Sequence, residues 1–73
     1  MSINDALLRG VEAQKAGRVE EADRFYTAIL KTQPNHPVAN YNMGLLAIAL
    51  GKWDQSIRFF RAALVARPNV NQY

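Results

Sequence analysis

Apolar residues gather at helical spacing in four stretches of this chain, and a glycine or a proline closes each one. From Ile3 to Ala16, Leu7, Leu8, Val11 and Ala13 follow that spacing. Ser2 precedes the stretch and Asp5 stands three residues after Ser2 in a capping-box arrangement, with an acid shorter than the preferred one. Gly17 supplies the backbone freedom for a sharp reversal. A second helix is predicted from Val19 to Gln33, lined on one side by Ala22, Phe25, Tyr26, Ile29 and Leu30. Pro34 ends it, because proline removes a backbone donor and clashes with the preceding turn. Pro37 suits the first turn of a third helix. Asn35 or His36 then stands at the cap, Asn35 with the better cap chemistry.

The third helix carries Val38, Tyr41, Met43, Leu45, Leu46, Ala47, Ile48 and Leu50. It is apolar around more than one stripe, which predicts burial on more than one side. Gly51 closes it. The fourth helix is predicted from Trp53 to Ala66, with Ile57, Phe59, Phe60, Ala63 and Leu64 as packing residues and Pro68 as its stop. The short turns at Gly17 and Gly51 force consecutive helices into antiparallel contact. Trp53 is expected to wedge against the preceding helix.

The second half repeats the first at an offset of 34 residues. Gly10, Ala13, Gly17, Arg24, Phe25, Ala28, Leu30, Pro34 and Asn35 recur as Gly44, Ala47, Gly51, Arg58, Phe59, Ala62, Leu64, Pro68 and Asn69, nine identities without a gap. Several other pairs are chemically alike, among them Val19 with Trp53, Glu20 with Asp54 and Tyr26 with Phe60. A period of this length marks stacked repeats, which bury their apolar faces against neighbours. Small residues at Gly10, Ala13, Gly44 and Ala47 let the paired helices approach, with Phe25, Tyr26, Phe59 and Phe60 as bulk across the gap. The expected fold is all-α: two stacked antiparallel helix hairpins that begin a superhelix.

The pattern resembles the tetratricopeptide repeat family, whose motif runs W-x2-L-G-x2-Y, then A-x3-F and P. Gly10, Ala22, Tyr26 and Pro34 fit in the first repeat, whereas Ala6, Arg9 and Ala13 depart from the larger consensus residues. In the second, Gly44, Phe60 and Pro68 match, while Asn40, Met43, Ala47 and Ser56 replace the aromatic, leucine, tyrosine and alanine. The runs GRVEEADRFYTAILKTQPNHP and GKWDQSIRFFRAALVARPN carry most of the likeness. The resemblance implies a right-handed superhelix with repeats at 3–36 and 37–70, and 71–73 as a tail or the start of a further repeat.

It also implies a concave surface lined by the first helix of each repeat, holding an extended or helical peptide. The positions carried over are Asn4, Leu7, Leu8, Val11, Gln14 and Lys15, then Val38, Tyr41, Asn42, Leu45, Ile48 and Ala49. Leu7, Val11, Tyr41, Leu45 and Ile48 make this groove apolar, with Gln14 and Asn42 as amides for a peptide backbone. One subfamily clamps a terminal carboxylate with lysine, arginine and asparagine. Here Leu7 and Val11 stand where that clamp begins, and Asn42 alone does not restore it. A protein-interaction or scaffold module is therefore expected. The alternative is a self-associating assembly whose exposed faces make a homo-oligomer; Phe59, Leu64 and Val65 at the open end are the candidate oligomer or next-repeat surface.

Charge and composition add little chemistry. A chain of 73 residues without cysteine makes one small domain with no disulfide support, so oligomerisation is a natural way to complete its core. The net charge of +3 is spread along the chain. Arg58, Arg61 and Arg67 are a candidate basic face for an acidic partner or a membrane surface. No nucleic-acid reading motif accompanies them.

His36 stands alone in a turn, and Glu20, Glu21 and Asp23 favour the positive end of a helix rather than a metal. Gly10 and Gly17 recur as Gly44 and Gly51, so they belong to packing and turning rather than a phosphate loop. No serine has a base and orienter nearby in sequence. Enzyme activity, a metal and a cofactor are not expected. The start, MSINDALLRG, lacks a basic leader before an apolar run, and Met43 to Leu50 is too short to span a bilayer. A cytoplasmic location is the expectation.

Overall fold

The computed structural model describes residues 1–66, which form four helices: α1 Ile3–Lys15, α2 Val19–Thr32, α3 Pro37–Ala49 and α4 Trp53–Ala66. Pro68, expected to stop α4, lies outside the described residues, as do Arg67 and the 71–73 tail. α1 pairs with α2 and α3 with α4, and the two hairpins join through α2 and α3. This is the all-α arrangement of stacked hairpins that the period predicts.

The two hairpin turns are copies of one another. Gly17 and Gly51 both sit at positive φ, +80° and +74°. The amide of Arg18 donates to the Ala13 carbonyl at 2.8 Å, and that of Lys52 donates to the Ala47 carbonyl at 2.7 Å. Each bond closes a helix end whose carbonyls have no partner further along. A side chain with a Cβ is disfavoured at that φ, so the glycines are required by the turn itself.

Helix starts are less alike. The Asp5 amide donates to the Ser2 hydroxyl at 3.1 Å, which caps α1. α2 has no side-chain cap; Glu20 and Glu21 lie in its first turn, where their charge favours the positive helix end. The exposed Arg18–Glu21 pair at 3.5 Å adds little. α3 is capped by His36, whose Nδ1 accepts from the Ala39 amide at 3.1 Å. This corrects the preference for Asn35. Pro37 occupies the first turn and holds the residue before it extended, so the cap falls on His36 by position.

The core lies mainly in the first hairpin and its junction with α3. Ala6, Ala13, Ala22, Tyr26, Ile29, Ala39 and Leu46 are buried, and Ile3, Leu7, Val11, Val19, Phe25, Leu30 and Met43 pack around them. The glycines of the helix interiors make room for rings. A Cβ on Gly10 would meet the Tyr26 ring at 2.6 Å, and one on Gly44 would meet the Phe60 ring at 2.5 Å. Asn40, at the aromatic position of the repeat motif, is buried and donates through Nδ2 to the carbonyls of Pro34 and His36, both at 3.0 Å. It pins the turn between the hairpins. Ser56 is buried on α4 and bonds back to the Trp53 carbonyl at 2.6 Å.

α4 is an end layer among the described residues, and its apolar residues show it. Trp53 is 62% exposed. The sequence places it against the preceding helix; most of its surface faces solvent, because no further element covers that side of α4 among the described residues.

Candidate protein-binding face

α3 is buried on two sides and open on a third. Ala39, Gly44, Leu46 and Ala47 turn inward, whereas Val38, Tyr41, Leu45 and Ile48 stay in contact with solvent. Tyr41, Leu45 and Ile48 recur at helical spacing, so they make one stripe along the axis. Their exposures of 52%, 37% and 37% are high for residues of this size in a small domain. Tyr41 is partly supported from below: its ring lies 5.6 Å from that of Phe60, tilted by 52°. Such an aromatic pair fixes the direction of the tyrosine while leaving one side of the ring free.

Beside this stripe the structure gathers polar groups from three helices on Tyr26. The Tyr26 hydroxyl donates to Oε1 of Gln14 at 2.7 Å, and the Asn42 amide is its second polar neighbour. Burial raises the pKa of the phenol above its usual value, while the Asn42 contact opposes the shift. Tyr26 is wholly buried, so its hydroxyl needs this partner. Gln14 was expected to offer its amide to a bound backbone. Its oxygen is committed to Tyr26, and the Gln14 Nε2 group is the part left to donate outward.

Leu7 and Val11 were placed in the same groove. Both are half-buried and lean on the core cluster. Asn42 is half-buried as well. Leu8 stands out in solvent and Asn4, Lys15 and Ala49 are exposed.

The residues named for an open end divide in the same way. Leu64 and Val65 are exposed on α4, while Phe59 is half-buried. Arg58 and Arg61 are exposed. Arg67 of the candidate basic face is outside the described residues. Sequence reasoning did not find a depression of about 670 Å³ between the start of α1 and α2, lined by Ile3, Ala6, Phe25, Ala28 and Ile29 with Glu21 and Arg24. Ala28 carried no functional signal by itself, and Phe25 was assigned to the helix–helix gap.

Among the described residues no helix is long and apolar enough to cross a membrane. No group of three histidines, cysteines or acids among them is placed to hold a metal ion.

Comparison with known families agrees with the hairpin geometry. The tetratricopeptide repeat profile matches residues 13–73, and the chain belongs to that family. Comparisons with curated proteins and with solved structures gave no match. Tetratricopeptide repeats generally mediate protein–protein interaction or scaffolding and are typically non-catalytic.

Proposed function

We propose that this chain is a protein-binding module whose groove, formed by α1 and α3, takes a peptide or helix of another protein. Leu7, Val11 and Gln14 supply the α1 side, and Tyr41, Asn42, Leu45 and Ile48 supply the α3 side. The observation that carries the reading is the exposed Tyr41–Leu45–Ile48 stripe beside the Gln14–Tyr26–Asn42 polar cluster. Apolar burial on the stripe supplies binding free energy, and the amides fix register along the bound segment. Leu7 and Val11 offer no charge for a terminal carboxylate, so the ligand is read as an internal apolar segment.

Selection from a displayed library of random peptides tests this. Peptides enriched on the parent chain should be rich in apolar residues and should lose binding at least about tenfold to Leu45→Glu, a hot-spot-sized effect. Unchanged circular dichroism of the variant would show that the loss is local. Peptides that bind parent and Leu45→Glu alike would remove the groove from this role.

A further inference from the structure

A second apolar stripe lies on α4, and its surroundings specify what covers it. Trp53, Ile57, Phe60 and Leu64 fall within about 60° of arc on one helix face. Trp53, Ile57 and Leu64 are at least half exposed, and Phe60 is half-buried beneath Tyr41. The 34-residue offset carries Trp53, Ile57 and Leu64 onto Val19, Asp23 and Leu30 of α2. Those three are half-buried in the helix that joins the hairpins. The α4 face is thus the repeat's stacking face, with no further layer on it among the described residues.

A head-to-tail copy does not fit there. The inward residues Ala39, Met43 and Leu46 of α3 correspond at the same offset to Asp5, Arg9 and Glu12 of α1. All three are exposed, and stacking them on the α4 stripe would bury charges on apolar side chains.

We infer that the α4 stripe is covered by α4 of a second copy, antiparallel and related by a two-fold axis. Setting Ile57 opposite Phe60 of the second copy brings Trp53 opposite Leu64 of the second copy, so the four stripe positions mesh in one register. The same register puts Asp54 beside Arg61 of the second copy, and the symmetry makes that pair twice. Asp54 and Arg61 are both exposed, and neither forms an ion pair with a described residue. A parallel arrangement places no acid beside Arg61. The pairs set direction and register while the apolar stripe supplies most of the affinity. Such an interface is isologous and closes at two copies.

Sedimentation equilibrium of the whole chain, from about 1 µM to about 1 mM, covers the affinity range of a weak helix-pair interface. The expected result is a monomer–dimer equilibrium with nothing larger. Trp53 is the only tryptophan, so its emission should move to shorter wavelength over the same range. Ile57→Glu should weaken the dimer at least about tenfold with helix content unchanged by circular dichroism. Arg61→Asp should weaken it too, and adding Asp54→Arg should restore it, because the swapped charges face each other again. A monomer throughout, with Trp53 emission constant, would overturn the inference and assign the stripe to a helix from elsewhere. So would open-ended growth, a dimer indifferent to Ile57→Glu, or a charge swap that restores nothing.

Discussion

The Tyr26 ring occupies the space that a side chain on Gly10 would need: a Cβ there would lie 2.6 Å from the ring. Gly44 and Phe60 repeat the relationship at 2.5 Å in the second hairpin. The two sites differ in how freely the ring can yield. Tyr26 is fully buried and tied to Gln14, whereas Phe60 is half-buried at the edge of the molecule. Alanine gains up to about 1 kcal/mol of helix propensity over glycine, while overpacking costs about 1–3 kcal/mol. Gly10→Ala should therefore destabilise by about 1–2 kcal/mol, and Gly44→Ala should fall near zero. Urea unfolding of the two variants makes the comparison; equal losses would mean that the Phe60 ring is held as firmly as Tyr26.

Removing the Tyr26 hydroxyl should cost about 1 kcal/mol, because Gln14 loses its donor at a half-buried site. Tyr26→Phe should keep the fold, since Phe60 already fills the matching place in the second hairpin. The same variant has a signature in alkali. Burial raises the folded-state pKa of Tyr26 above the ordinary 10.0. As pH climbs past about 10, the unfolded chain loses that proton first, binds fewer protons than the folded one, and stability falls. Below that pH the phenol is neutral in both states and adds no slope. The parent should thus lose more stability than Tyr26→Phe between about pH 9 and about pH 11. Parallel stability curves would contradict the assignment.

The turn between the hairpins rests on two side chains, His36 and Asn40. His36→Ala should lower stability by about 1 kcal/mol, and His36→Asn should recover most of it, because asparagine is a strong cap. Asn40→Ala should cost about 1–3 kcal/mol, since it deprives the Pro34 and His36 carbonyls of their shared donor. Thermal melts of the three variants check the order. An Asn40→Ala chain as stable as the parent would show that the turn does not need this donor.

Much of the architecture was legible because local chemistry and tertiary packing ask for the same residues. Gly17 and Gly51 mark turns that only positive φ can make, and Pro37 marks a helix start, so the four helices emerged within a residue or so of their ends. The departures arise where a partner from another helix decides. Asn35 has the better cap chemistry in isolation, but Pro37 puts the cap on His36. Gln14 looks like a free groove amide until Tyr26, on the next helix, takes its oxygen. Asn40 looked like a substitution in the repeat motif, and its role in holding two carbonyls depends on the turn folding back. Trp53 was expected against the preceding helix, yet most of its surface is exposed on the last described helix. The exposed spacing of Tyr41, Leu45 and Ile48 on one side of α3 was legible; that Leu7 and Val11 lean on the core needed the packing.

The measurement that tests the account most directly is an amide chemical-shift titration of the labelled chain with a peptide selected on it. The chain is held at a concentration low enough to keep copies apart. Shifts that cluster on Leu7, Val11, Gln14, Tyr41, Asn42, Leu45 and Ile48, and vanish with Leu45→Glu, are the predicted result. Shifts confined to Trp53, Ile57 and Leu64, or to the Phe25 depression, would contradict the claim that the α1–α3 groove is the binding site.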